Sequence, residues 1–238
     1  MPEIKLELKE GTYKSFSGVQ FTDNYLNKTA LIYDYVSAKS TDHTNSKDIQ
    51  SYMLSEYRAQ ESDIRTLISL LKKFGFINDF NEETTGGSLF TKEGELFVHI
   101  AKIKLNMDNL PSAFQRKINN AFSLILQNGF VYAQKNKENL DIPDNFWLLI
   151  NLLKKIGTLS GKEYLYAIWC SNNKSLNEIA SLILNNRKTE VDYVFIKEPG
   201  NTPIANTSYT YNFGLLVQAG VVDYIGNAYY KLTKDIFQ

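Results

Sequence analysis

The chain has 238 residues, 43% of them apolar, and carries 26 Lys and Arg against 26 Asp and Glu, a formal net charge of zero. That apolar content excludes a disordered chain and supports packed cores, and the length has room for two domains of about a hundred residues each. Zero net charge excludes a protein coated in nucleic acid through bulk charge, while leaving open a local basic face.

Residues 3–9 alternate Ile4, Leu6 and Leu8 and predict a strand. Asp23 is placed to cap a helix running to Ala38, with Leu26, Ile32, Tyr33 and Val36 at helical spacing. A polar loop follows, and Ser46 opens a second helix carrying Ile49, Tyr52, Met53 and Tyr57. Ser62 is the expected cap of a third helix that Gly75 stops. Its inward ladder is Ile64, Leu67, Ile68, Leu71 and Phe74; its outward stripe is Ser62, Arg65, Thr66, Ser69, Lys72 and Lys73. Residues 76–80 and 88–91 then predict a two-stranded hairpin around a small, flexible tip containing Thr84, Thr85, Gly86 and Gly87. Helices at 93–105 and 108–133 follow, and between 102 and 137 six Lys and Arg face Asp108 alone, with Arg116 and Lys117 at the centre. The polar stretch 134–145, with Pro143, marks a domain boundary.

Beyond it, 146–156 predicts an apolar helix. Residues 158–163 form a cap-like turn into a helix to Cys170, and Ser175 with Glu178 makes a capping box for 176–186. Val191 to Ile196 reads as a strand, 207–219 as a helix with an outward row of Thr207, Thr210, Tyr211 and Gln218, and the chain closes in a hairpin turning at Gly226-Asn227. Expected domains are therefore 1–107, a helical linker 108–140, and 141–238.

Two of these segments repeat each other. Residues 63–80, DIRTLISLLKKFGFINDF, align without a gap on 208–225, SYTYNFGLLVQAGVVDYI. In both, an amphipathic helix ends at a glycine, an apolar strand follows, and a second strand runs into Thr-Lys-acid at 91–93 and 233–235. Helix, glycine stop and hairpin describe a winged helix, so the expected fold is mainly α with small β wings (α+β), in tandem winged-helix domains. In such a unit the helix before the wing lies in the DNA major groove, where Arg65 would read a guanine, Thr66 and Ser69 bases or phosphates, and Lys72 and Lys73 the backbone. The Thr84-Thr85 tip, Arg116 and Lys117 would add backbone contacts. Thr210 and Gln218 would make the second helix a polar, uncharged contributor. Winged helices also bind proteins, and a cationic stripe is also met as a plain solvated face.

Chemistry that cuts DNA is not legible. A metal-dependent nuclease needs an acid followed by acid-x-Lys on a strand; Glu7-Leu8-Lys9 lacks the preceding aspartate, Pro143-Asp144 lacks the following motif, and Asp192 to Lys197 has the wrong spacing. Tyr224-Ile225-Gly226 is half of a GIY-YIG pattern but falls in the wing. His43 and His99 stand alone, and there is no phosphate-binding glycine loop. A single cysteine, Cys170, excludes an intramolecular disulfide and, with two histidines, zinc fingers; in its apolar surroundings it reads as a buried structural thiol. A non-catalytic protein without cofactor or metal is expected. The charged, alternating start is unlike a signal peptide, and no apolar run approaches the roughly 20 residues of a membrane span, so the expectation is cytoplasmic.

Three stretches together resemble the DNA-recognition portion of type IIS restriction endonucleases of the Fok and Alw kinds: the first helix-and-wing with SLFTKEGE, the block IPDNFWLLINLLKKIGTLSGKEYLYAIWC, and the closing GVVDYIGNAYYKLTKDIFQ. The resemblance covers about half the chain and implies a sequence-specific module contacting double-stranded DNA through Arg65, Thr66, Ser69 and Lys73. Such enzymes often continue into a cleavage domain where this chain stops, which implies a separate nuclease subunit or another task in defence or chromosome maintenance. Three functions remain open at this point: a recognition or accessory subunit of a restriction or anti-phage system, a winged-helix connector of an SMC-like ATPase complex, and a dimeric transcriptional regulator.

Overall fold

The structure is a computed structural model that describes residues 2–7, 15–196 and 208–237. It is mainly α with two small sheets, in two compact units: residues 19–141 with Phe237, and residues 1–18 with 142–236. The expected strand positions 8–9, Lys197 and Thr207 lie outside the described residues.

The helical unit holds α1 (Asp23–Ala38), α2 (Ser46–Tyr57), α3 (Glu61–Lys73), the one-turn α4 (Gly86–Leu89), α5 (Lys92–Lys104) and α6 (Ser112–Lys135). In α3, Ile64, Leu67, Ile68 and Leu71 recur at i, i+3, i+4 and i+7, and all are buried. They close over an aromatic core in which Phe97 lies 4.8 Å from Phe21 and 4.5 Å from Phe76, and Phe74 lies 4.9 Å from Phe130. Aromatic pairs at these separations add about 0.5–1.5 kcal/mol each beyond burial. Gly129 of α6 is required there, because a Cβ would sit 2.2 Å from the Phe74 ring.

Two expected helix caps move by a residue or two, while α2 opens at Ser46 as expected. The caps of α1 and α3 are Thr22 and Gln60 rather than Asp23 and Ser62; α2 is capped by Asn45, which accepts from the amides of Lys47 and Asp48. A larger difference is the first wing. Its two expected strands reduce to a single bridge, Ile77 to Phe90. The two segments still exchange backbone bonds, Asn78 N–H to Leu89 O at 2.8 Å and Thr91 N–H to Phe76 O at 3.1 Å, but residues 86–89 wind into α4, and the tip is tied down: Gly86 N–H donates to Asp42 O at 3.0 Å and Gly87 N–H to Ser40 O at 2.9 Å. A Cβ on Gly86 would stand 2.1 Å from Val36 O. The small residues of the tip therefore serve close packing against the end of α1, not flexibility.

The second unit holds β1 (Glu3–Glu7), α7 (Asp144–Ile156), β2 (Thr158–Ser160), α8 (Gly161–Ser171), α9 (Leu176–Lys188), β3 (Asp192–Ile196), α10 (Ser208–Gln218), β4 (Val222–Gly226) and β5 (Tyr229–Leu232). β1 and β3 pair in parallel, Ile4 opposite Tyr193. β2, β5 and β4 form an antiparallel sheet in that order, with Leu159 opposite Tyr230 and Tyr224 also opposite Tyr230. The stretch expected as a cap-like turn before α8 does cap that helix through Ser160, and its residues 158–160 are also the third strand of this sheet. The hairpin turns at Asn227-Ala228, both at positive φ, one residue later than expected, because Gly226 at φ 91° lies at a register shift between Tyr224 and Gly226. Cys170 is buried, and burial pushes its thiol pKa up. No described helix is long and apolar enough to cross a membrane.

Candidate nucleic-acid interface

The sequence repeat is a repeat of hydrogen bonds. At the end of α3, Gly75 at φ 69° donates to Lys72 O at 2.9 Å, and Phe76 N–H reaches Leu71 O at 2.9 Å. At the end of α10, Gly220 at φ 62° donates to Val217 O at 2.9 Å, and Val221 N–H reaches Leu216 O at 3.0 Å. Both are Schellman caps, in which a left-handed glycine lets the chain reverse out of the helix. Each glycine carbonyl then accepts from the threonine that ends the wing: Thr91 Oγ1 at 2.8 Å and Thr233 Oγ1 at 3.3 Å. The amides of Thr91 and Thr233 close on Phe76 O and Val221 O at 3.1 and 3.0 Å. In both units a helix is thus clamped to the base of the segment that follows it.

On α3 this clamp leaves Ser62, Arg65 and Ser69 exposed in a row, spaced by three and four residues. Arg65 has no ion-pair partner among the described residues. The other candidates are placed differently. Thr66 is half-buried and donates its hydroxyl to Ser62 O at 2.8 Å. Lys72 is ion-paired with Asp79. Lys73 leaves the outward stripe altogether: it is half-buried, burial lowers its pKa, and Asp141 only partly offsets that. One residue of helix turns the side chain by about 100°, which moves Lys73 from the face of Lys72 to the flank of the core.

Thr84, expected at an open tip, is 5% exposed; its hydroxyl donates to Asp79 O at 2.8 Å and accepts from Asn81 N–H. Thr85 is half-buried and caps α4 in a capping box with Ser88. Arg116 and Lys117 are exposed on the first turns of α6. The basic segment around them is thinner than its residue count, because Lys102 pairs with Asp34 at 2.6 Å and Lys104 donates to Asn119 at 2.6 Å. On α10, Thr210 and Gln218 are half-buried.

One constellation was not legible in the sequence. Glu163, 2% exposed at the start of α8, receives Arg187 Nε at 2.7 Å and Nη2 at 2.9 Å, the Tyr229 hydroxyl at 3.1 Å and the Ser160 amide at 2.9 Å. Arg187 also donates to Thr158 O at 2.8 Å, and Glu163 holds its guanidinium pKa up. The group fastens the end of α9 and strands β2 and β5 to one carboxylate. Its visible trace was the spacing Ser160-x-x-Glu163, a capping box. Among the described residues no cluster of three or more His, Cys, Asp or Glu is arranged around a common point for a metal.

No protein-family model and no curated protein matches the chain. One solved structure similar to it is the BpuJ1 endonuclease binding domain in complex with pyrene- and phenanthrene-modified DNA, at 13% identity and a TM-score of 0.47 over 92% of this chain and 80% of that one.

Proposed function

We propose that this chain is a non-catalytic, cytoplasmic DNA-binding protein, a recognition or accessory subunit of a restriction or anti-phage system, that lays α3 in the major groove of duplex DNA. The observation that supports this most is the exposed row Ser62, Arg65 and Ser69, presented by a helix whose end is clamped in the same way as that of α10. An exposed, unpaired guanidinium flanked by two hydroxyls suits a guanine edge or two phosphates. Lys72 would join on exchanging Asp79 for a phosphate. The winged-helix and domain assignments belong to this reading. Lys73 and Thr84 drop out of the proposed contact set.

The test is anisotropy titration of random-sequence duplex DNA across a salt series. Arg65→Ala is expected to weaken binding roughly five- to hundredfold and to lower the salt slope by about one ion. Binding that ignores Arg65, or none at low salt, overturns the assignment. A second reading, a winged-helix connector in an SMC-like ATPase complex, is favoured by one observation, the net charge of zero; an Arg65-independent result would turn the search to that protein partner.

A further inference from the structure

Helix α6 has two apolar faces. The buried one carries Phe122, Ile125, Leu126, Phe130 and Ala133. The other is open: Phe114 is 58% exposed, Leu124 53% and Tyr132 43%. At about 100° per residue, Phe114, Ala121, Asn128 and Tyr132 fall within roughly 40° of one another, with Lys117, Leu124 and Lys135 along one side. The stripe thus runs almost the whole length of the 24-residue helix. Single exposed apolar residues are ordinary; Phe114 and Tyr132 in one row, with Leu124 about 80° round the helix beside the lysines, make a patch of the kind that marks an interface.

The charges carried by α6 itself have one sign. From 109 to 137 the only charged residues are Arg116, Lys117, Lys135 and Lys137. Lys117 Nζ lies 5.6 Å from the Phe114 ring centroid. Near Tyr132 the stripe opens into a cleft of about 650 Å³ beside Gly75 and Ile77, where Asp79 is already paired with Lys72 and both Glu93 and Lys135 line the wall. A phosphate backbone would use the cations but not three apolar side chains. A second copy of α6 would bring cations against cations. We infer that the outer face of α6 docks an acidic amphipathic helix of a partner protein, its apolar side on Phe114, Leu124 and Tyr132 and its carboxylates toward Lys117 and Lys135. The inference does not depend on the DNA reading, since it uses a different helix, and it assigns Lys117 to protein rather than DNA.

The probe is a synthetic three-heptad helix with leucine at its core positions and glutamate elsewhere, labelled for anisotropy and titrated with the full chain. Its counterpart carries lysine for glutamate. The glutamate helix should bind at least about tenfold more tightly, and Phe114→Ser/Leu124→Ser should lower its affinity by about tenfold or more. Lys117→Glu/Lys135→Glu should invert the preference. These side chains are exposed, so unchanged circular dichroism would certify folding. Equal binding of both helices, no binding, or affinity indifferent to these substitutions overturns the proposal. So does a double-serine variant that loses duplex DNA or anionic vesicles instead of the peptide.

Discussion

The two threonine clamps should not be equal, and the difference can be worked from their geometry. Thr91 does two things: its hydroxyl donates to Gly75 O at 2.8 Å and accepts the Gly94 amide at 3.0 Å as the cap of α5. Thr91→Val keeps the shape and removes both bonds. Losing an N-cap costs about 1 kcal/mol, and leaving the partly buried Gly75 carbonyl short of a donor costs about another 1 kcal/mol, roughly 2 kcal/mol together. Among the described residues the Thr233 hydroxyl makes only the 3.3 Å bond, in solvent, so Thr233→Val, which keeps the amide, should cost less than about 0.5 kcal/mol. Urea unfolding separates the two cases, because both tryptophans, Trp147 and Trp169, lie in the second unit. Their fluorescence reads that unit, while far-UV circular dichroism reads both. Thr91→Val should shift the helical transition by roughly 1 M at an ordinary urea dependence of about 2 kcal/mol/M. A Thr233→Val loss as large as that of Thr91→Val would refute the account, as would a Thr91→Val cost below about 0.5 kcal/mol.

Two further outcomes follow from the charged groups. Glu163→Gln strands the Arg187 guanidinium without its carboxylate and should cost about 3 kcal/mol, read as an earlier tryptophan-monitored urea midpoint; adding Arg187→Met should recover part of that, and no recovery would show that the pair is not the cause. For Lys73 the sign runs opposite to the usual salt-bridge case. Its folded pKa is lowered from 10.5, so the folded state holds fewer protons than the unfolded one between those two values, and stability rises with pH through that window. Tyr166, Tyr193, Tyr229 and Tyr230, whose pKa values burial raises, pull stability the opposite way near pH 10, so the readout is the difference in urea midpoint between wild type and Lys73→Met. Wild-type stability relative to Lys73→Met should rise with pH through that window while duplex binding stays as it was; a falling difference, or lost DNA affinity, would contradict the placement.

What the sequence disclosed, it disclosed through short-range rules. The ladder Ile64, Leu67, Ile68, Leu71 follows from helical period alone, and the glycine stops and the Ser175-Glu178 box are local chemistry, so each is where the pattern put it. What it hid depends on distant partners. The pairing of β1 with β3 joins residues about 190 apart, and β2 is three residues long, too short to show alternation. The first wing misled for a related reason: residues 76–80 and 88–91 have strand composition, but the tip between them winds into α4 and is held by acceptors of a distant segment, Asp42 O and Ser40 O. Lys73 shows the same limit in miniature, since adjacency to Lys72 says nothing of which lysine faces the core.

The unequal wings bear on how the proposed DNA reading would divide between the repeats. In the helical unit the segment after α3 is held down by Gly86 and Thr84 and cannot reach out as an arm, while the helix itself offers a free arginine. In the second unit the helix offers only half-buried Thr210 and Gln218, while the hairpin is a true one. There the register shift between Tyr224 and Gly226 leaves Ile225 near the tip, where Tyr224 and Ile225 are both exposed. A charged helix with a tied wing and an uncharged helix with an open wing are not two copies of one reader. On this reading the first repeat supplies charge and base contact from its helix, and the second meets its target through its hairpin. Salt dependence of binding should therefore originate almost wholly in the first repeat.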